Sequence, residues 1–303
     1  MTDLGAAKLG GPIRSLGVVY REHTDEVLAI VDRVRDWAAA QGIETTVEEN
    51  AGRGPQPSLD LTASPVDLVV ALGGDGTFLR ASRLAVGTDI PVLGVNLGRL
   101  GFLTAIPDSY LEGGLHQVVS GEALLEHRFR LRAYIETEGE DDDGTFYALN
   151  DIVVHTSGAA RVTPLTLSVG VGTEDLEEVG SFAADGVIVS TPTGSTAYSM
   201  SAGGPIITPD VEAVVVTPIC PHSLAVRPLV LSAARVICIG TLDPESGHQL
   251  TVDGQVVRAL APGDRVMVAR EERPLSLVRL PGQTFFSTMR RKLNWAARPP
   301  ERA

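Results

Sequence analysis

Cysteine is scarce in this 303-residue sequence: Cys220 and Cys238 are the whole complement, and no CxxC pair occurs. That speaks against a disulfide framework, and free thiols in a reducing compartment are the expectation. Positive charge is scarce too. Against 38 Asp and Glu stand 25 Lys and Arg, a net charge of -13, which opposes general binding to nucleic acid through its phosphate backbone. An anionic ligand would then need a local positive site, and Arg290-Arg291-Lys292 is a candidate whose competing reading is a solvated helix end complementing the dipole. Long apolar runs are missing, and the start MTDLGAAKLGG has no basic stretch leading into an apolar core. The expectation is a cytoplasmic protein with no membrane contact. Several catalytic signatures are also absent. There is no GxxxxGK[ST], no HExxH, and Ser195 lies in Gly-Ser-Thr-Ala rather than GxSxG; Gly74-Asp-Gly76-Thr-Phe-Leu79 lacks the third glycine of a dinucleotide fingerprint.

Hydrophobic residues make up 44% of the chain and charged residues 21%, the balance of a globular protein with room for one large or two ordinary domains. The stretch Val69-Val-Ala-Leu-Gly73-Gly-Asp75-Gly-Thr-Phe-Leu-Arg80 organises it, reading as strand, glycine turn, helix. Glycines let the backbone pass close to a ligand or take positive φ, and the amides opening the next helix suit an anion. A carboxylate among phosphate oxygens is unfavourable unless it has a task, and accepting a proton is one. A plain Asp-Gly turn is the competing reading.

Upstream, Leu16–Tyr20 and Ile43–Val47 read as strands around a helix over Asp25–Ala40. Downstream, Thr77–Val86 reads as a helix, Pro91–Val95 as a strand ending at Asn96, and Ser109–Val119 as another helix. The alternation predicts an α/β N-terminal domain with a parallel sheet, ligands gathering at the carboxyl ends of its strands. From Gly121 the texture turns to strand after strand. Arg128–Glu136 and Thr145–His155 flank an acidic hairpin tip at Glu140–Gly144, and further runs continue to Ala269, predicting a larger, mostly antiparallel β C-terminal domain. The expected division is residues 1–122, 123–275 and a C-terminal segment 276–303, helical over Gln283–Leu293, packing back on the first domain. Polar loops at element ends offer amides, carboxylates and hydroxyls suited to ribose and base edges: Asn150-Asp151, Asp185-Gly186, Thr193–Tyr198 and Asp253-Gly254-Gln255.

These residues carry a resemblance. Gly73-Gly-Asp-Gly-Thr77, Asn150-Asp151, and Asp185 followed by Thr193-Gly-Ser-Thr-Ala-Tyr198 resemble the ordered motif set of NAD kinases, as do Gly94–Gly98, Leu100–Leu103, Gly203–Pro205 and Asp253–Gln255. The resemblance spans roughly residues 15 to 293. It implies phosphorylation of the adenosine 2'-hydroxyl of NAD to give NADP, with ATP or polyphosphate as donor, by a homodimer or homotetramer. By the same resemblance Asp75 activates the hydroxyl, Gly74, Gly76 and Thr77 lie beside the dinucleotide, and Arg80 lies near phosphate. Asn150 and Asp151 hold NAD, the family more often having Asn-Glu there, and Arg161 matches a Lys or Arg position. Asp185 and Thr193, Gly194, Ser195, Thr196, Ala197 and Tyr198 line the nicotinamide and adenine ends; Gln255 serves a neighbouring site, and Asn96 and Phe102 form a wall. For Phe102 a core role competes. A divalent metal, Mg²⁺ first, would neutralise the transferred phosphate; bound by donor phosphates and water, it needs no protein ligand cluster. A lipid or sugar kinase sharing the glycine turn, or a dinucleotide sensor without turnover, are the alternatives.

Overall fold

All six residues of the strand Leu68–Gly73 are buried, as a parallel strand covered on both faces requires. The computed structural model describes residues 7–22, 24–48, 59–98, 101–137, 140–141, 144–156, 163–241 and 247–295. Two compact units divide the chain: Met1–His127 with Leu275–Ala303, and Arg128–Pro274. The first contains β1 Ala7–Lys8, β2 Ser15–Tyr20, β3 Glu44–Val47, β4 Leu68–Gly73, β5 Val92–Asn96, β6 Ile106–Pro107 and β7 Leu124–Arg128, and regains β21, Leu275–Arg279, from the far end of the sequence. Its helices are α1 Asp25–Ala40, α2 Asp75–Leu84, α3 Leu111–Val119 and α5 Phe285–Leu293. The sheet runs β1-β7-β21-β5-β4-β2-β3 with β6 beside β5. The pairs β2–β3, β2–β4, β4–β5, β5–β6 and β5–β21 are parallel, and β1–β7 is antiparallel.

Local chemistry sets these elements. The Thr24 hydroxyl caps α1 by accepting from the Val27 amide, Asp25 and Glu26 occupy the favourable first turn, and Val27, Val31, Val34 and Ala38 make one buried face. Gly42, at φ 70°, turns the chain out of the helix. β21 is a strand that the apolar alternation of Leu275-Ser-Leu-Val-Arg279 permits but whose place between β7 and β5 no local pattern announces.

The second unit is two facing antiparallel sheets. One runs β10-β8-β20-β17-β12-β13, with β9 on β8. These are β8 Leu131–Thr137, β9 Glu140–Asp141, β10 Phe146–Ala148, β12 Thr163–Gly170, β13 Glu177–Ala184, β17 Val236–Thr241 and β20 Arg265–Arg270. The other runs β16-β15-β14-β11-β18-β19, from β11 Asp151–Thr156, β14 Gly186–Ser190, β15 Ala213–Ile219, β16 Leu229–Ser232, β18 His248–Val252 and β19 Val256–Leu260. Leu131, Ala133 and Ile135 of one sheet share a core with Ile152, Val154, Val187 and Val214 of the other, the packing of a sandwich. A short helix α4, Tyr198–Ser201, follows a 3₁₀ turn at Gly194–Thr196.

Two expected strands divide. Arg128 ends β7 and Leu131 opens β8, and the expected strand Thr145–His155 breaks at Leu149-Asn150, where the chain leaves β10 in one sheet for β11 in the other. Arg128–Glu136 alternates charged and apolar residues across the break, and Thr145–His155 carries apolar residues on both sides of Asn150-Asp151, so neither pattern announces the division; the break is where pairing partners change. Of the acidic tip, Glu140 and Asp141 pair with β8, and residues 142–143 lie outside the described residues. Among the described residues no helix is long and apolar enough to cross a membrane.

Candidate active site

In the first unit the glycine turn joins β4 to α2 and makes Asp75 the first residue of the helix, where the positive end of the helix dipole favours a carboxylate. Asp75 Oδ2 accepts from the Phe102 amide and Oδ1 from the Leu103 amide, each at 3.0 Å. Two charge-assisted bonds to adjacent backbone groups fix the carboxylate more firmly than flexible side chains could. Gly101 makes this possible, since a Cβ there would lie 1.9 Å from Asp75 Oδ1. Gly73 serves close approach likewise: its Cβ would fall 2.2 Å from Thr77 Oγ1. Gly74 faces open space, in an extended conformation that any residue adopts. Positive φ, entertained for the turn glycines, is found at none of Gly73, Gly74 and Gly76; the turn needs room for neighbours, not a left-handed backbone.

Thr77 is buried and Gly76 exposed in the first turn of α2. The Arg80 guanidinium donates to the Tyr20 carbonyl at the end of β2. Burial pushes its pKa below the ordinary value, opposed by the charge of Glu48, so this cation ties α2 to the sheet. Asn96 exchanges hydrogen bonds with the Gly98 backbone and lines a cavity of about 110 Å³ with Arg279, Gln283 and Arg291. Phe102 is 8% exposed and packs on Phe285, so it reaches Asp75 by its amide while its ring joins the core. A further cation stands here: Lys292 Nζ lies 3.4 Å from Asp75 Oδ2.

In the second unit a separate cavity of about 330 Å³ is lined by Asn150, Asp151, Val153, His155, Ala197, Tyr198, Thr251, Asp253 and Gly254. Its frame is Asp253, at φ 50° in the turn between β18 and β19. The Asp253 carboxylate accepts from the amides of Leu149, Asn150 and Asp151 at 3.0, 2.7 and 3.2 Å, satisfying the backbone where the chain changes sheets. Asp151 beside it is 4% exposed, and burial first, then the charge of Asp253, pushes its pKa up to about 7. Partial burial raises the Tyr198 phenol above its ordinary value, as do nearby Cys220, Asp151 and Asp185; these acidic groups and Tyr198 share one neighbourhood.

The loop 193–198 uses most of its hydroxyls internally. Thr193 Oγ1 accepts from Arg128 at 3.1 Å, and Ser195 Oγ donates to the Pro192 carbonyl at 2.6 Å and accepts from the Ile207 amide at 2.9 Å. Thr196 Oγ1 donates to the Thr193 carbonyl at 3.2 Å. A Cβ on Gly194 would lie 2.1 Å from the Asn150 carbonyl oxygen, so the loop seats directly on the Asn150 backbone. The structure thus brings Asn150, Asp151, Ala197 and Tyr198 to the cavity, with Thr193, Gly194, Ser195 and Thr196 supporting it from behind. Gln255 is exposed in the β18–β19 turn, its backbone N–H donating to the Val252 carbonyl, and Arg161 lies outside the described residues.

Sequence reasoning passed over His155 and Thr251, named Gly101 only within the Leu100–Leu103 motif, offered Asp253 only as one of several polar loop ends, and offered Lys292 only as part of the basic cluster Arg290-Arg291-Lys292. A signal existed for the first: Asp151, Val153 and His155 alternate on β11 and so share a face, as do Thr251 and Asp253 on the chain beside it. His155 Nε2 and Thr251 Oγ1 are 2.9 Å apart. What no local signal gives is the partner: Gly101 and Lys292 each meet Asp75, a residue distant in sequence. Among the described residues no three His, Cys, Asp or Glu side chains converge as a metal cluster.

Comparison with known proteins gives the arrangement its context. Family models described as the ATP-NAD kinase N-terminal and C-terminal domains match residues 16–123 and 149–280. An NAD kinase of Gemmatimonas aurantiaca is 41% identical over 281 residues, 92% of this chain and 96% of the relative. One of Syntrophotalea carbinolica is 41% identical over 94% of this chain and all of the relative. Among solved structures, yeast NADH kinase complexed with NADH superposes with a TM-score of 0.83 at 26% identity, covering 97% of this chain and 91% of its own. An NAD kinase from Archaeoglobus fulgidus in complex with ATP gives 0.73 at 28%, covering 92% and 98%. With both family models matched across most of its length and close relatives along nearly all of it, this chain belongs to the NAD kinase family.

Proposed function

We propose that this protein transfers the terminal phosphoryl group of ATP to the adenosine 2'-hydroxyl of NAD, giving NADP, with Asp75 as general base. The observation that carries the reading is the Asp75 carboxylate pinned by the Phe102 and Leu103 amides at the opening of the glycine turn. A ribose hydroxyl is a poor nucleophile; a fixed carboxylate orients it and takes its proton as the O–P bond forms, while the bond to the donor's leaving phosphate breaks and ADP departs with the electron pair. The ATP complex of the archaeal relative and the NADH complex of the yeast one support donor and acceptor classes; polyphosphate is a second donor to test. The cavity at Asn150, Asp151 and Tyr198 takes part of the dinucleotide, with Asp185 near it, and Thr193, Gly194, Ser195 and Thr196 hold its wall. Mg²⁺ suits a site of this composition because phosphate oxygens and water can supply its ligands where the protein offers few carboxylates, and when bound it offsets phosphate charge. The domain division at residues 122 and 275, residence in the cytoplasm, and assembly as a homodimer or homotetramer belong to the same reading; native mass tests the last.

The test is NADP formation from NAD and Mg²⁺ with ATP and polyphosphate supplied separately, alongside Asp75→Asn. The expected outcome is turnover by wild type and a kcat lower by at least about 10² in the variant. Dinucleotide binding without product from either donor would favour the sensor instead.

A further inference from the structure

Helix α5 is fastened at its start by reciprocal capping between Thr284 and Ser287. Phe285 and Lys292, two turns apart on one face, both come to the ring of Phe102. The Phe285 centroid is 5.9 Å away, and Lys292 Nζ stands 4.8 Å over the ring centroid. The same ammonium is 3.4 Å from Asp75 Oδ2, the oxygen that takes the Phe102 amide. Its side chain is 33% exposed, with the ammonium itself both over the aromatic face and beside the carboxylate. Other cations nearby are turned elsewhere: Arg80 to the Tyr20 carbonyl, Arg279 to Glu126 and the Phe102 carbonyl. A cation in the last turn of α5 suits the helix dipole, but that alone does not require it to meet a carboxylate.

We propose that Lys292 is a catalytic residue that binds the phosphoryl group in transfer. The proposal rests on the reading of Asp75 as base. A hydroxyl hydrogen-bonded to Asp75 at about 2.7 Å, with phosphorus roughly 3–3.5 Å from the attacking oxygen, puts the phosphoryl oxygens within reach of an ammonium already at this carboxylate. In the free protein Lys292 neutralises Asp75. With substrates bound it passes to the phosphoryl oxygens by rotation of its own torsions, leaving Oδ2 to accept the hydroxyl proton. Negative charge in the transition state sits on those equatorial oxygens, and in a chain of net charge -13 an ammonium aimed there adds to the neutralisation that a bound Mg²⁺ would supply.

Lys292→Met keeps an unbranched apolar side chain of similar length and removes the charge; Lys292→Arg keeps the charge. In the full chain with NAD, ATP and Mg²⁺, the Met variant is expected to lose about 10²–10³ in kcat, with KM for NAD within about threefold of wild type. The Arg variant should recover at least about a tenfold part of that loss, and ethylammonium should restore part of the activity of Lys292→Ala, a rescue that does not depend on how the Met variant folds. A Met variant within about twofold of wild type in kcat assigns Lys292 to packing and overturns the proposal. Equal losses in Met and Arg with no amine rescue overturn it too, and a rise in kcat would make Lys292 a plug on Asp75 instead. Wild type without NADP formation overturns the reaction reading and this proposal together, whereas wild-type turnover beside an unaffected Met variant overturns this one alone.

Discussion

Asp151 carries its energetic signature in its own titration. An unfolded aspartate titrates near 3.9; burial, and then Asp253, raise Asp151 to about 7 in the fold. A raised folded value means that the native state binds the proton more tightly. The stabilising contribution is therefore full below the unfolded value and is lost as pH rises through about 7. Asparagine is neutral throughout, so Asp151→Asn should flatten the fall in melting temperature between pH 5.5 and 8. At pH 8 it should melt higher than wild type by at least about 3 °C. Thermal melts at the two pH values check this, and parallel slopes would remove Asp151 from the account. The same residue shows why a family motif and a local environment are different statements. Asn-Asp is readable as a pair, but only the buried position beside Asp253 makes one member proton-hungry.

At the scale of elements, the joint between β10 and β11 depends on the turn between β18 and β19. Three consecutive amides at Leu149–Asp151 find one acceptor, Asp253, and Gly194 seats the next loop on the Asn150 carbonyl. Asp253→Ala leaves those donors buried without their carboxylate, and charge-assisted bonds of this kind are each worth about 1.5–3 kcal/mol. Removing Asp253 also relieves its charge on buried Asp151, so the expected net loss is smaller than the three bonds together, about 2–4 kcal/mol in urea unfolding, with KM for NAD raised at least about tenfold as Asn150 and Asp151 shift. Asp253→Asn, still an acceptor, should fall between. Unchanged stability in the Ala variant would show that the backbone finds another partner.

For the whole molecule, the first unit is closed by chain that arrives last. β21 lies between β7 and β5, and Val278 and Leu280 belong to the same core as Leu68, Val70 and Leu93. A chain cut after Pro274 loses an interior strand as well as α5 with Lys292, and exposes two unpaired strand edges. It should be recovered as aggregate, and any soluble fraction should lack the near-ultraviolet dichroism of a packed core. A soluble, cooperatively melting product would show β21 to be dispensable.

The sequence alone determined the elements and the motifs. Period 3.6 marks α1, apolar runs mark β2 and β4, and a glycine turn after a buried strand marks Asp75, because these signals lie within one or two turns of chain. The tertiary structure decided what depends on partners far away in sequence. Gly101 must lack a side chain because Asp75 lies against it, Asp253 holds Asn150 and Asp151 across about a hundred residues, and Thr193 and Ser195 give their hydroxyls to the chain. It also decided that Lys292, a helix-end cation by pattern, ends on a carboxylate 217 positions away. The physical reason is one of range: propensity and capping act over a few residues, whereas the hydrogen bonds and contacts that assign a side chain its task are decided by whichever group the fold delivers to it.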